Sequence, residues 1–191
     1  MDVYDAIRKR RTIRKYKGCT PKKNDILQIV DSARLAPCSA NMQSLKYLIV
    51  EDEKIRQKMY PHIKYAGYIQ GWDPDFDETP KVFIVVLNDT NIKPTMQSEV
   101  DSGAAITNMC LSATELGIAS CWLGAIRRDE LKMILDISVH FDIMYILGLG
   151  YGSQESRVIE MENNNHKYFF DADNNVYVPK RSLKDSIVGF V

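Results

Sequence analysis

Cysteine is scarce in this chain: four of 191 residues, Cys19, Cys38, Cys110 and Cys121, with no Cys-x-x-Cys pair among them. None stands near a histidine at ligand spacing, which disfavours a zinc site or a disulfide framework and favours free thiols in a reducing cytoplasm. Long apolar runs are missing as well. The longest unbroken one, residues 82–87, has six members, against about 20 needed to span a bilayer. Residues 1–15 are charged throughout and hold no apolar core of the signal-peptide kind. Net charge is also lacking, since Lys plus Arg and Asp plus Glu both number 25. No global field therefore draws the chain to nucleic acid or to an anionic membrane, and neither is expected as a partner. The three histidines, His62, His140 and His166, belong to no recognisable ligand set, so no metal site is expected.

What is present is the composition of a soluble globular protein, 45% hydrophobic and 26% charged, with 10 Gly and 7 Pro. One domain over residues 1–191 is expected, able to bury roughly 70% of its unfolded surface. The pattern predicts a short helix over residues 2–9. A second helix carries an apolar face of Ile26, Leu27, Ile29, Val30, Ala33 and Leu35, with Asn24 as a candidate cap and Pro37 as its stop. A strand is predicted over residues 45–50 and a short helix over 53–60. The β-branched run 82–87 predicts a strand buried on both faces. A long helix follows over 98–116 with Gly117 behind it. Further expectations are an extended segment over 118–123, a helix opening at Arg128 or Asp129, a buried strand over 145–149 and a polar hairpin over 163–177. Helices and strands interleave, which places the fold in the α/β or α+β class.

Three segments could carry chemistry. The first is the basic stretch Arg10-Arg11-Thr12-Ile13-Arg14. It fits a solvated basic face. It equally fits an anion clamp, because alternation along an extended chain would set Arg10, Thr12 and Arg14 on one side. Two guanidiniums and a hydroxyl suit phosphate. The second is Pro37-Cys38-Ser39-Ala40-Asn41-Met42-Gln43, which is either a plain turn or a set of paired donors and acceptors for the edge of a planar heterocycle. The third, Gly117 through Cys121-Trp122-Leu123-Gly124, is either an ordinary strand and turn or a backbone surface that something flat can approach.

In this order and spacing the three segments resemble the FMN-dependent nitroreductase family. The first is similar to that family's Arg-x-Ser-x-Arg/Lys signature and the second to its Pro-Ser-x-x-Asn-x-Gln segment. Asp101-Ser102-Gly103-Ala104-Ala105-Ile106-Thr107-Asn108-Met109 and the stretch to Gly124 resemble its central helix and following loop. Gly148-Leu149-Gly150-Tyr151-Gly152 resembles its late strand and turn, and Pro179-Lys180-Arg181 its C-terminal basic pair. Ser44 and Leu45 depart from the Pro and aromatic that many members carry, and Cys38 from a common Ser.

The resemblance implies an α+β fold, an α/β/α sandwich whose central, mostly antiparallel sheet is flanked by helices. It also implies a homodimer with FMN at the interface and NAD(P)H as electron donor. Arg10, Lys180 and Arg181 would meet the phosphate with Thr12 beside them and Arg11 adjacent, and Arg14 would tune the flavin at its N1/O2 side. Asn41 would hydrogen-bond the pyrimidine edge, with Ser39 close by and contributed by the partner chain, and Pro37, Cys38 and Gln43 would belong to the same cofactor-binding segment. The backbone N–H groups around Leu123 and Gly124 would face N5, and Cys121 and Trp122 would belong to the same cofactor-binding stretch. The implied activity is hydride transfer from NAD(P)H to a nitroaromatic, a quinone or a similar small acceptor. Alternatives are a dehalogenase or small-metabolite dehydrogenase of the same family, and a non-catalytic flavin-binding module. No side-chain nucleophile is needed, because the cofactor carries the redox step. The dimer expectation also rests on residues 104–113, judged too apolar for one small sheet to cover, and on the apolar tail 187–191.

Overall fold

Strand β2 (Val82–Asp89) is the β-branched run. In the computed structural model, which describes residues 1–190, every residue from Val82 to Leu87 is at most 6% exposed. Burial on both faces follows from its central place. The neighbours are β1 (Leu45–Val50) on one side and β4 (Phe141–Gly150) on the other. With β3 (Ala119–Leu123) the sheet runs β1-β2-β4-β3, every adjacent pair antiparallel.

Because successive strand residues point to opposite faces, β2 feeds two cores. Val82, Ile84 and Val86 pack under α2 (Lys23–Arg34) and α4 (Glu99–Glu115), against Ile26, Ile29, Ala33, Ile106 and Met109. Phe83, Val85 and Leu87 pack on the other face, against Met59 of α3 (Glu53–Met59) and Leu131 of α5 (Arg128–Ile134). The result is the expected α+β sandwich, helices on both faces of an antiparallel sheet. Residues 104–113 do not lack cover. Ala105, Ile106, Met109, Cys110 and Ala113 are buried between the sheet and α2, so α2 supplies the cover that one small sheet alone would not.

The β2–β4 register slips once. Val86 stands opposite Tyr145 and Leu87 opposite Ile143, which makes Met144 the extra residue of a β-bulge. Arg128 holds the irregularity, its Nε donating to the Ile143 carbonyl at 2.9 Å and its Nη2 to that of Met144 at 2.8 Å.

Helix α1 (Val3–Lys9) is capped by Asp2, whose carboxylate accepts from the Asp5 amide at 2.8 Å. Beyond it the chain lies along β3: Thr12 bridges Ser120 in parallel sense, and the Ile13 amide donates to the Ser120 carbonyl at 3.0 Å. Helix α2 begins at Lys23 with Lys22 as N-cap and no side-chain cap, so Asn24 already sits in its first turn. It closes at Leu35, before Pro37 can act.

The C-terminal part forms a second sheet, β5-β7-β6, from β5 (Ser156–Glu160), β6 (Phe169–Phe170) and β7 (Val176–Lys180). Strands β6 and β7 make a hairpin shorter than expected, and β5 runs parallel to β7. Helix α6 (Leu183–Ser186) follows, capped by Ser182. Of the apolar tail 187–191, Val191 lies outside the described residues. No helix among the described residues is long and apolar enough to cross a membrane.

Candidate functional site

The parallel bridge at Thr12 decides where the basic stretch goes. It seats Arg10 and Thr12 over a cavity of about 300 Å³ floored by Ser120 and Trp122 of β3 and walled by Thr107 and Cys110 of α4. A guanidinium, three hydroxyls and an indole thus converge at the β3 edge of the sheet. Trp122 is 41% exposed and held on edge by Tyr145, ring centres 5.3 Å apart at 87°. Tyr145 is itself anchored, donating its hydroxyl to Glu99 at 2.6 Å. Strand alternation sends Cys121 and Leu123 the other way, into the core at 2% exposure each, while Gly124 is exposed. Burial pushes the Cys121 thiol up to about 12, so it holds its proton at neutral pH.

Alternation does not keep Arg14 with Arg10 and Thr12. Arg14 is 8% exposed, its Nε donating to the Tyr65 carbonyl at 2.7 Å and its guanidinium lying 4.4 Å from the centre of the Tyr168 ring. Arg11 lines a different cavity with Lys9, Ile13 and Ser156. Burial, and after it the charge of Arg10, draws the Arg11 pKa below its usual value.

The second segment sits at the opposite edge of the sheet. Pro37, Cys38 and Gln43 line a cavity of about 260 Å³ with Leu45 and Tyr47 of β1 and Asp101 and Ala105 of α4. Ser39–Asn41 is a 3₁₀ turn, and Ala40, Asn41 and Gln43 have φ of 51°, 53° and 52°. Left-handed backbone at residues other than glycine is costly and has to be held in place. Ser39, Asn41 and Gln43 are exposed. The two cavities share no lining residue. Lys180 ends β7 and Arg181 follows, its Nη1 donating to Asn164 at 2.7 Å; both are exposed and neither lines the Arg10 cavity.

Spacing alone singles out none of Ser120, Thr107, Asp101 and Lys93, although the first three stand inside motifs named above. Ser120 was knowable from strand parity, since it shares a face with the exposed Trp122.

The model of the Nitroreductase family matches residues 7–151, a span holding both cavities and all four strands of the main sheet. The chain belongs to the nitroreductase family. A relative in Archaeoglobus fulgidus, provisionally named an NADH dehydrogenase/NAD(P)H nitroreductase, is 29% identical over 160 residues, 81% of this chain and 87% of its own. Among solved structures, a provisionally described nitroreductase of Desulfovibrio desulfuricans in complex with FMN superposes with a TM-score of 0.75. It is 21% identical, over 100% of this chain and 98% of that one. A nitroreductase family protein of Clostridium novyi gives 0.69 at 22% identity, over 80% and 86%. At these identities the two structures speak for the family fold.

Proposed function

We propose that this nitroreductase-family protein is an FMN-dependent oxidoreductase that accepts hydride from NAD(P)H and passes electrons to a nitroaromatic, a quinone or a similar small molecule. The observation that carries the reading is the Arg10–Thr12–Ser120–Trp122 cavity, where cation, hydroxyls and an aromatic plane meet at one sheet edge. FMN crystallised with the Desulfovibrio protein, and the nicotinamide donor named for the Archaeoglobus relative, support cofactor and donor respectively.

When bound, the flavin supplies the hydride chemistry; the chain supplies placement and charge. Arg10 would hold the phosphate together with the Thr12 hydroxyl, a charge-assisted contact of the stronger kind. Lys180 and Arg181, exposed at the end of β7 and outside the Arg10 cavity, would add positive charge for the same group only as the family resemblance implies. Trp122 and the exposed backbone at Gly124 offer the flat surface. Arg14 lies outside the Arg10 cavity with its two Nη groups free of hydrogen bonds among the described residues; the family resemblance would give its cation the anionic edge of reduced flavin to stabilise.

The protein acts as a homodimer with the cofactor between chains. In this reading Ser39, Asn41 and Gln43 of one chain would complete the Arg10 cavity of the other; its support is that the two cavities share no lining residue and lie at opposite edges of the sheet. Exposed apolar residues at Met42, Met96, Val100 and Trp122 suit such an interface.

The purified protein is expected to be yellow, to release FMN and not FAD in mass spectrometry, and to scatter light as a dimer at micromolar concentration. Anaerobic NAD(P)H should bleach the bound flavin. A colourless monomer that FMN does not reconstitute rules the reading out, while bound FMN inert to both nicotinamides leaves a flavin-binding module. The thiols stay spectators in this chemistry. Cys38→Ser should retain NAD(P)H oxidation within about threefold, and a loss of a hundredfold would make Cys38 a participant.

A further inference from the structure

Under the strained loop lies an ion pair that water hardly reaches. Lys93 Nζ stands 2.6 Å from Asp101 Oδ2, with the two side chains 2% and 4% exposed. The other carboxylate oxygen, Oδ1, accepts from the Ser39 amide at 3.0 Å. The backbone that carries Lys93 is fixed in turn: Asn88 Nδ2 donates to the Lys93 carbonyl at 2.9 Å, and Ser98 Oγ donates to Asn88 Oδ1 at 2.7 Å. Ser98 Oγ also stands 3.3 Å from Ser44 Oγ. The loop is therefore gripped at both ends from one buried polar network, Ser39 through Asp101 and Ser44 through Ser98.

Between those grips stand the three left-handed residues Ala40, Asn41 and Gln43. Such conformations cost about 1–3 kcal/mol each and persist only where their surroundings over-determine them. Burying two charges is itself expensive, and an apolar pair of similar volume often stabilises a fold as well or better. The Lys93–Asp101 pair is therefore poorly explained by stability alone. Its one directed contact outside the pair from the carboxylate goes to the loop.

We infer that Asp101, held by Lys93, is a positioning residue: by fixing the Ser39 amide it sets the left-handed turn that presents Asn41 to the flavin of the partner chain. This rests on the FMN reading above and adds to it the group that shapes the loop. Asp101 does not touch the cofactor. It acts through Ser39.

Two double variants separate positioning from folding. Lys93→Met/Asp101→Leu removes the charges and the acceptor together, and Lys93→Gln/Asp101→Asn removes the charges but keeps a side-chain oxygen for the Ser39 amide. Both are expected to fold with melting temperatures near that of the wild type. The first should raise the FMN dissociation constant at least tenfold, the scale of one buried hydrogen bond with a charged partner; the second should stay within about threefold. Unchanged FMN affinity in the folded Met/Leu variant overturns the inference, and so does equal loss in both. Should Met/Leu not fold, amide exchange in the FMN-free wild type decides. Ser39 is expected to be as protected as the interior amides of α4, and exchange at the rate of an unstructured amide overturns the assignment. A wild type that binds no FMN refutes the flavin reading and with it the presentation of Asn41, while the Ser39 amide still reports separately whether the loop is pinned.

Discussion

Arg10→Ala is expected to weaken FMN binding by about ten- to a hundredfold while leaving the melting temperature unchanged. The two halves of that expectation have separate sources. A charged hydrogen bond contributes about 1.5–3 kcal/mol, and each 1.4 kcal/mol is tenfold in affinity. The Arg10 guanidinium makes no ion pair or side-chain hydrogen bond among the described residues, so the fold loses nothing directional with it. Fluorescence titration with FMN, paired with thermal melts, measures both. Arg14→Ala provides the contrast. Its guanidinium is buried against Tyr65 and Tyr168, so that variant should melt earlier. It should keep most FMN affinity and lower the flavin midpoint potential by tens of millivolts, about 30 mV corresponding to 1.4 kcal/mol for two electrons. If Arg14→Ala loses the cofactor and Arg10→Ala shifts the potential, the basic stretch runs along the flavin in the opposite sense.

The largest effect on stability is expected at Gly148. This residue faces Phe83 and Cys121 across the sheet. A Cβ built on it would lie 2.5 Å from Pro80 Cγ and 2.9 Å from Pro80 Cβ. Pro80 cannot retreat. Its carbonyl accepts from Arg56 Nη1 at 3.1 Å, and the next residue, Lys81, donates its amide to the Leu149 carbonyl at 2.9 Å. Overpacking of a closed core costs about 1–3 kcal/mol and sometimes more, and the pinned proline places Gly148→Val at the upper end. About 3 kcal/mol corresponds to a fall in melting temperature of roughly 6–12 °C for a chain of this size. Gly18→Val, where nothing lies within 4 Å of the added Cβ, should change it little. Equal melting temperatures for the two variants would mean that β4 sits farther from Pro80 than the structure has it.

Strand β2 was legible because a fully buried strand needs no alternation, only a run of β-branched and apolar residues. Helix α4 was legible for the same kind of reason, apolar spacing sustained over several turns. Strand β5 was not. It lies at the edge of the small sheet with Arg157, Val158 and Glu160 exposed, so burial wrote no pattern into it. Arg10 and Thr12 follow from local alternation and do reach one cavity. Arg14 escapes that logic because its partner carbonyl, on Tyr65, lies 51 positions on, and local spacing is blind to such a contact. Asp101 was hidden in another way. An acidic residue in the first turn of a helix is ordinary on dipole grounds, and only the fold shows that it is buried against Lys93.

The bulge at Met144 works like a frameshift in a code read two letters at a time. Before it, Ile143 belongs to the α3/α5 core; after it, Tyr145, Leu147 and Leu149 belong to the α2/α4 core, although all four positions are odd. One inserted residue thus lets a single strand spell two phases. Read in an unshifted frame, the Tyr145 ring would point to the opposite layer and Trp122 would lose the edge that steadies it. The orientation of the indole beside the Arg10 cavity is thereby tied to the length of β4, counted to the residue, and to the arginine whose two hydrogen bonds keep the extra letter in place.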